Sequence, residues 1–114
     1  MAGVIVLSDN ETASNSDILS GTRLQTVPAG GFLTFEMQAT SASSTVFQTV
    51  SIQMPNGDTP LNNVLVPDGA TSYALNANDK MMITLPIQQG GHTVFSCTQT
   101  GAADLTWRVT YSPA

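Results

Sequence analysis

The chain has 114 residues, only 10% of them Asp, Glu, Lys or Arg, and a formal net charge of −5. That length fits one domain, and the single cysteine excludes an intramolecular disulfide. Three scattered cations, Arg23, Lys80 and Arg108, exclude nucleic-acid binding, which needs clustered Lys and Arg against phosphate.

The first element is GVIVLS (3–8), an expected strand. Its apolar run Val4, Ile5, Val6 and Leu7 is the longest in the chain, far below the roughly 20 residues that span a bilayer, so no membrane association is expected. The opening MAGVIVLSDNE lacks the basic region of a secretory signal peptide. This strand can extend the domain's own sheet or that of a neighbouring subunit. SDNETASNSD (8–17) reads as a loop or extended arm, and Asn10-Glu11-Thr12 fits the N-glycosylation triplet.

RLQTV (23–27) is a weak strand candidate, and Pro28 to Gly31 mark a turn. FLTFEMQA (32–39) alternates cleanly: Leu33, Phe35, Met37 and Ala39 face the core, and Thr34, Glu36 and Gln38 face away. VFQTVSIQM (46–54) points Val46, Val50, Ile52 and Met54 inward, with Gln48 as a polar exception. NNVLV (62–66) and SYALN (72–76) are further weak strands. MMITLPI (81–87) carries Pro86, which cannot donate to a ladder and so favours an edge. HTVFSCTQ (92–99) and LTWRVTY (105–111) complete eight or nine short strands separated by Gly, Pro and Asn turns. No segment has helical periodicity. The expected fold is therefore all-β, a single antiparallel β-sandwich or jelly-roll-like domain over 1–114, with residues 1–20 as an N-terminal strand and loop able to contact a neighbour.

No catalytic set emerges. The only histidine and only cysteine, His92 and Cys97, are five positions apart on one expected strand and face opposite sides of it. Cys97 shares a face with Phe95 and reads as a small buried hydrophobe. There is no Gly-x-Ser-x-Gly elbow. Of the eight acids only Glu36 lies mid-strand; the others sit in loops, where Asp is favoured for backbone reasons. One His and one Cys cannot hold structural zinc. Asp9-Asn10-Glu11 and Asn76-Ala77-Asn78-Asp79 offer oxygen ligands without EF-hand spacing, so neither a metal nor a cofactor is expected. Trp107 lies on the apolar face of its strand and reads as core.

Thr, Ser, Asn and Gln supply 40 of the 114 residues, a surface that hydrates through neutral groups and repels neighbours weakly. Phe32, Phe47 and Met82 fall opposite the core positions of their strands. With Val4, Ile5, Val6 and Leu7 they form the candidate interface.

Size, all-β pattern, apolar N-terminal strand, scarce charge and the style of VPAGGFLTFEMQATSASSTVFQTVSIQMPNGDTPL together resemble small virion structural proteins, in particular the capsid decoration (cement) proteins of tailed bacteriophages. The resemblance implies a homo-oligomer, typically a trimer, on the outer surface of a virion, binding the major capsid protein and stabilising the shell. A tail, fibre or spike module binding a host surface or carbohydrate has the same composition, as does a small single-jelly-roll capsid protein. An enzyme is not expected.

Overall fold

The computed structural model describes residues 3–43, 45–70, 74–76 and 79–114. Among these, seven strands form: β1 Ile5–Glu11, β2 Gly31–Thr40, β3 Phe47–Gln53, β4 Leu61–Leu65, β5 Met81–Ile87, β6 Val94–Thr100 and β7 Asp104–Pro113. All pairings are antiparallel, in a four-stranded sheet of order β1-β7-β2-β5 and a three-stranded sheet of order β4-β3-β6. The expected all-β antiparallel sandwich is the fold found. Its order is that of a jelly roll whose second strand is rudimentary. Asn15 exchanges backbone hydrogen bonds with Cys97 at 3.0 and 2.9 Å, and Ile18 donates to Phe95 O at 2.7 Å. The 14–18 segment thus lies beside β6 in the place of an eighth strand.

Two expected strands are absent from the set. Residues 23–27 lie in consecutive turns, with Thr22 N donating to Leu19 O at 3.1 Å and Gln25 N to Thr22 O at 3.2 Å. Their apolar side chains still serve the core, because Leu19, Leu24 and Val27 are buried through turn geometry and not through strand alternation. Of 72–76, residues 72 and 73 lie outside the described residues and 74–76 contribute no named strand. β1 is also displaced from 3–8. Its polar half pairs with β7, Asp9 opposite Trp107 and Glu11 opposite Leu105, since backbone pairing is indifferent to side-chain polarity at an edge. The opening strand therefore joins the domain's own sheet.

The core lies between the sheets. Leu33, Phe35, Met37 and Ala39 of β2 and Leu105, Trp107, Val109 and Tyr111 of β7 meet Val50 and Ile52 of β3 and Phe95 and Cys97 of β6. Phe95 bridges the layers, with its ring edge-on to Phe35 at 5.2 Å and to Trp107 at 6.1 Å. Gln48, the polar exception of β3, is fully buried and donates through Nε2 to Ala103 O at 2.8 Å. Tyr111 is buried too, and its hydroxyl donates to Ala29 O at 2.9 Å.

Candidate functional site

The outer face of the four-stranded sheet is built from the polar half of each alternation. The registers align Val6, Thr110, Thr34 and Thr84 in one cross-strand row. The next row holds Ser8, Arg108, Glu36 and Met82. Beyond it, Asn10, Thr106 and Gln38 form a third, and on the other side Ser112, Phe32 and Pro86 form a fourth. Opposed hydroxyls and amides hydrogen-bond across the strands: Thr34 Oγ1 and Thr84 Oγ1 lie 3.0 Å apart, and Thr106 Oγ1 donates to Asn10 Oδ1 at 3.0 Å.

In this charge-poor chain, two of the three cations converge on one carboxylate. Arg108 donates from Nε to Glu36 Oε2 at 2.5 Å and from Nη2 to Glu36 Oε1 at 2.8 Å, and Lys80 Nζ pairs with Oε1. Glu36 is 6% exposed although it points away from the core. The Arg108 contact, reinforced by Lys80, holds its carboxyl at about 2 against an ordinary 4.5, in spite of the upward pull of burial. The same contact raises the Arg108 guanidinium. Both cations keep donors to spare, because a guanidinium carries five N–H groups and an ammonium three.

Described residues of the connection from β4 to β5 lie against both side chains, Lys80 on Glu36, and Gly69 and Asn76 on Gln38. The connection crosses the far end of β2 through Ala39 N donating to Pro67 O at 2.8 Å and Gly69 N donating to Ala39 O at 3.0 Å. Farther along the same connection, Asn76 N donates to Gln38 Oε1 at 2.6 Å. Gly69 is required: its φ is +143°, and a Cβ there would lie 2.6 Å from Gln38 Nε2. Between this connection and strands β1 and β7 opens a polar cavity of about 500 Å³, lined by Ser8, Asp9, Asn10, Lys80, Thr106 and Arg108 together with Ala74, Leu75 and Trp107. Its size falls in the range of ligand sites. A larger groove of about 960 Å³ at one end of the sandwich runs between residues 54–60 and 85–91. It has no aromatic wall, and its one charge, Asp58, is held by Asn56 Nδ2 at 3.0 Å.

His92 and Cys97 are not brought together. Strand β6 begins at Val94, so His92 precedes it. The His92 ring clips the 17–27 connection, with Nδ1 at Gln25 O and Nε2 3.2 Å from Asp17 Oδ2. Cys97 is buried beside Phe95, and burial pushes its thiol up. Among the described residues no group of three or more His, Cys, Asp or Glu could hold a metal. Of the Asn76 to Asp79 run, Ala77 and Asn78 lie outside the described residues.

The seven candidate interface residues separate into four places. Val4, just before β1, and Val6, on the outer face of that edge strand, are exposed, whereas Ile5 and Leu7 turn inward and pack against the core. Phe32 and Met82 are exposed on the outer face, at 45% and 61%. Phe47, on the other sheet, is half-buried. Missed at the level of sequence was the Glu36 cluster: Glu36 was legible as outward-facing, but its partners lie 44 and 72 residues away.

No protein-family model matches the chain, and no curated protein does. A similar solved structure is the C-terminal CBM6 of LamC, a marine laminarinase from Zobellia galactanivorans, with a TM-score of 0.39 and 10% identity over 95% of this chain and 100% of that one. The expectation of a capsid decoration protein is corrected here. The apolar residues expected to form one capsid-binding patch are divided between the edge strand β1, the outer face, the core and the other sheet.

Proposed function

We propose that the protein is a non-catalytic carbohydrate-binding module, and that a neutral glycan chain lies along the outer face of the four-stranded sheet. The observation that carries this reading is the exposed ring of Phe32 on the same strand face as the Glu36, Arg108 and Lys80 cluster. Four residues apart along β2, they are separated by roughly 13 Å. A sugar ring has an apolar C–H face and a rim of hydroxyls, so it packs on an aromatic ring and pairs with fixed donors and acceptors. Thr34, Thr84 and Thr110 supply hydroxyls between the two anchors. Arg108 and Lys80 are held in place by Glu36 before any ligand arrives, which lowers the entropy cost of binding. Their two positive charges are balanced by Glu36 and by Asp9 at the cavity wall, which favours uncharged sugars over uronates.

Affinity electrophoresis through gels containing soluble polysaccharides, neutral and uronic, tests the reading. Retardation in a neutral polysaccharide, weakened about tenfold by Phe32→Ala, is expected, a change of about 1.4 kcal/mol. No retardation in any gel, or retardation that Phe32→Ala leaves intact, would overturn it.

A further inference from the structure

A β-sandwich has four sheet edges, and in this protein three of them are closed. The outer edge of β6 is occupied by the 14–18 segment, through Asn15, Ile18 and the Ser14 hydroxyl that accepts from Gln99 N at 2.8 Å. The β5 edge carries Pro86 as the penultimate residue of the strand. The β4 edge is broken by a register shift opposite Val50 and Ile52 and by Asn63 at a φ of +51°. The β1 edge has none of these devices. It contains no proline, no lysine and no register shift, and it pairs with β7 in continuous register from Ile5 to Glu11. Proteins ordinarily protect such an edge, because its unpaired N–H and C=O groups template another strand.

We propose that this edge is an interface with a second copy of the chain, in which β1 pairs antiparallel with β1 of the other copy across a two-fold axis at Val6. Asn10 donates its backbone N–H to Asp9 Oδ1 at 2.8 Å, which assigns the Asn10 N–H to the outer edge. Backbone groups alternate sides along a strand, so Val4, Val6 and Ser8 present theirs outward as well, and Asp9 ends the usable edge by occupying the next donor. With Val6 on the axis, Val6 opposes Val6, Val4 opposes Ser8 and Ile5 opposes Leu7. Every apolar residue of the 4–7 run then meets a neutral or apolar partner. Asp9 and Glu11 fall beyond the paired region, so the acidic half of β1 is not driven against itself. A register centred on Asp9 would oppose the two Asp9 carboxylates, and one centred on Ser8 would set Asp9 and Glu11 against Leu7 and Ile5, so the charge pattern disfavours both. Val4 and Val6, 63% and 54% exposed, and the half-exposed Ile5 and Leu7 gain cover on both faces. The product is a continuous eight-stranded sheet with order β5-β2-β7-β1-β1-β7-β2-β5. It leaves the outer face open and requires no glycan.

Sedimentation equilibrium of the wild-type chain from micromolar to millimolar concentration is the test, together with two variants. Val6→Lys places a charge on the axis at an exposed position; Val6→Cys places two thiols at the separation of opposed strand residues, about 5.5 Å between Cα atoms. A concentration-dependent dimer is expected in the wild type. The Val6→Lys variant is expected to be monomeric with an unchanged circular dichroism spectrum. The Val6→Cys variant should become a covalent dimer on mild oxidation, while Met82→Cys on β5 should not. A wild type monomeric throughout, a folded Val6→Lys variant that still dimerises, or cross-linking through position 82 in place of position 6 would overturn the proposal.

Discussion

Arg108 and Glu36, 72 residues apart in sequence, face each other across β7 and β2 and form a two-pronged contact of 2.5 and 2.8 Å, which Lys80 completes from the connection leading into β5. A carboxylate so placed organises the outer face in two ways. It fixes two long, flexible cations as donors, and it ties the β4 to β5 connection onto the sheet.

Acid should weaken this tie within a defined window. The folded-state value of Glu36, about 2, lies below its ordinary 4.5, so its contribution is complete above about pH 4.5 and is lost as pH falls toward 2. After screening of the partly exposed Arg108, it amounts to about 2 kcal/mol. Urea unfolding of the wild type and Glu36→Gln from pH 7 to pH 2 should show a constant gap down to about pH 5, closing below that. A gap that persists unchanged at pH 2 would contradict this assignment.

The aromatic bridge between the layers makes a separate prediction. Phe95 is wholly buried between Phe35 and Trp107, so Phe95→Ala leaves a cavity and forfeits two edge-on ring contacts. The expected loss is about 3 to 5 kcal/mol by urea unfolding. A loss below 1.5 kcal/mol would mean that the neighbouring rings collapse into the space.

Backbone crowding at the start of β2 predicts intolerance of any side chain there. A Cβ at Gly31 would lie 2.2 Å from Ser112 O and 2.9 Å from Pro113 Cα, both backbone atoms of β7. Gly31→Ala should therefore lower stability by roughly 2 kcal/mol through lost pairing at the end of β7. Amide exchange near 112–114 should rise with it, and wild-type protection there would count against the close approach.

Cys97 should report global opening. It is 4% exposed and burial raises its thiol, so the reactive thiolate is scarce and shielded. Labelling by a thiol reagent should be slow in the native protein and rise in parallel with the unfolding transition. Rapid native labelling would show that the 13–18 segment detaches from β6 without global unfolding.

Much of the fold was legible because strand alternation is a local signal. β2, β3, β5 and β7 follow the period of two that FLTFEMQA, VFQTVSIQM, MMITLPI and LTWRVTY display, Pro86 placed β5 at an edge, and Trp107 is core as its parity required. Residues 23–27 misled because Leu24 and Val27 are buried from turns, and apolar content alone does not distinguish a turn that caps a core from a short strand. β1 was read as ending where polarity begins, yet Asp9 and Asn10 continue the ladder. The site was less legible. Phe32 could be placed on the outer face from parity, but the surroundings of Glu36 and Gln38 depend on Lys80, Arg108 and Asn76, and no local pattern records contacts across such distances.

The most direct test of the carbohydrate reading is a two-dimensional NMR titration of the labelled protein with an oligosaccharide of the neutral polysaccharide that retards it best. The largest amide shifts should map to Phe32, Thr34, Thr84, Arg108 and Thr110 on the outer face. Shifts confined to residues 54–60 and 85–91 at the end of the sandwich, or no shifts at saturating sugar, would contradict it.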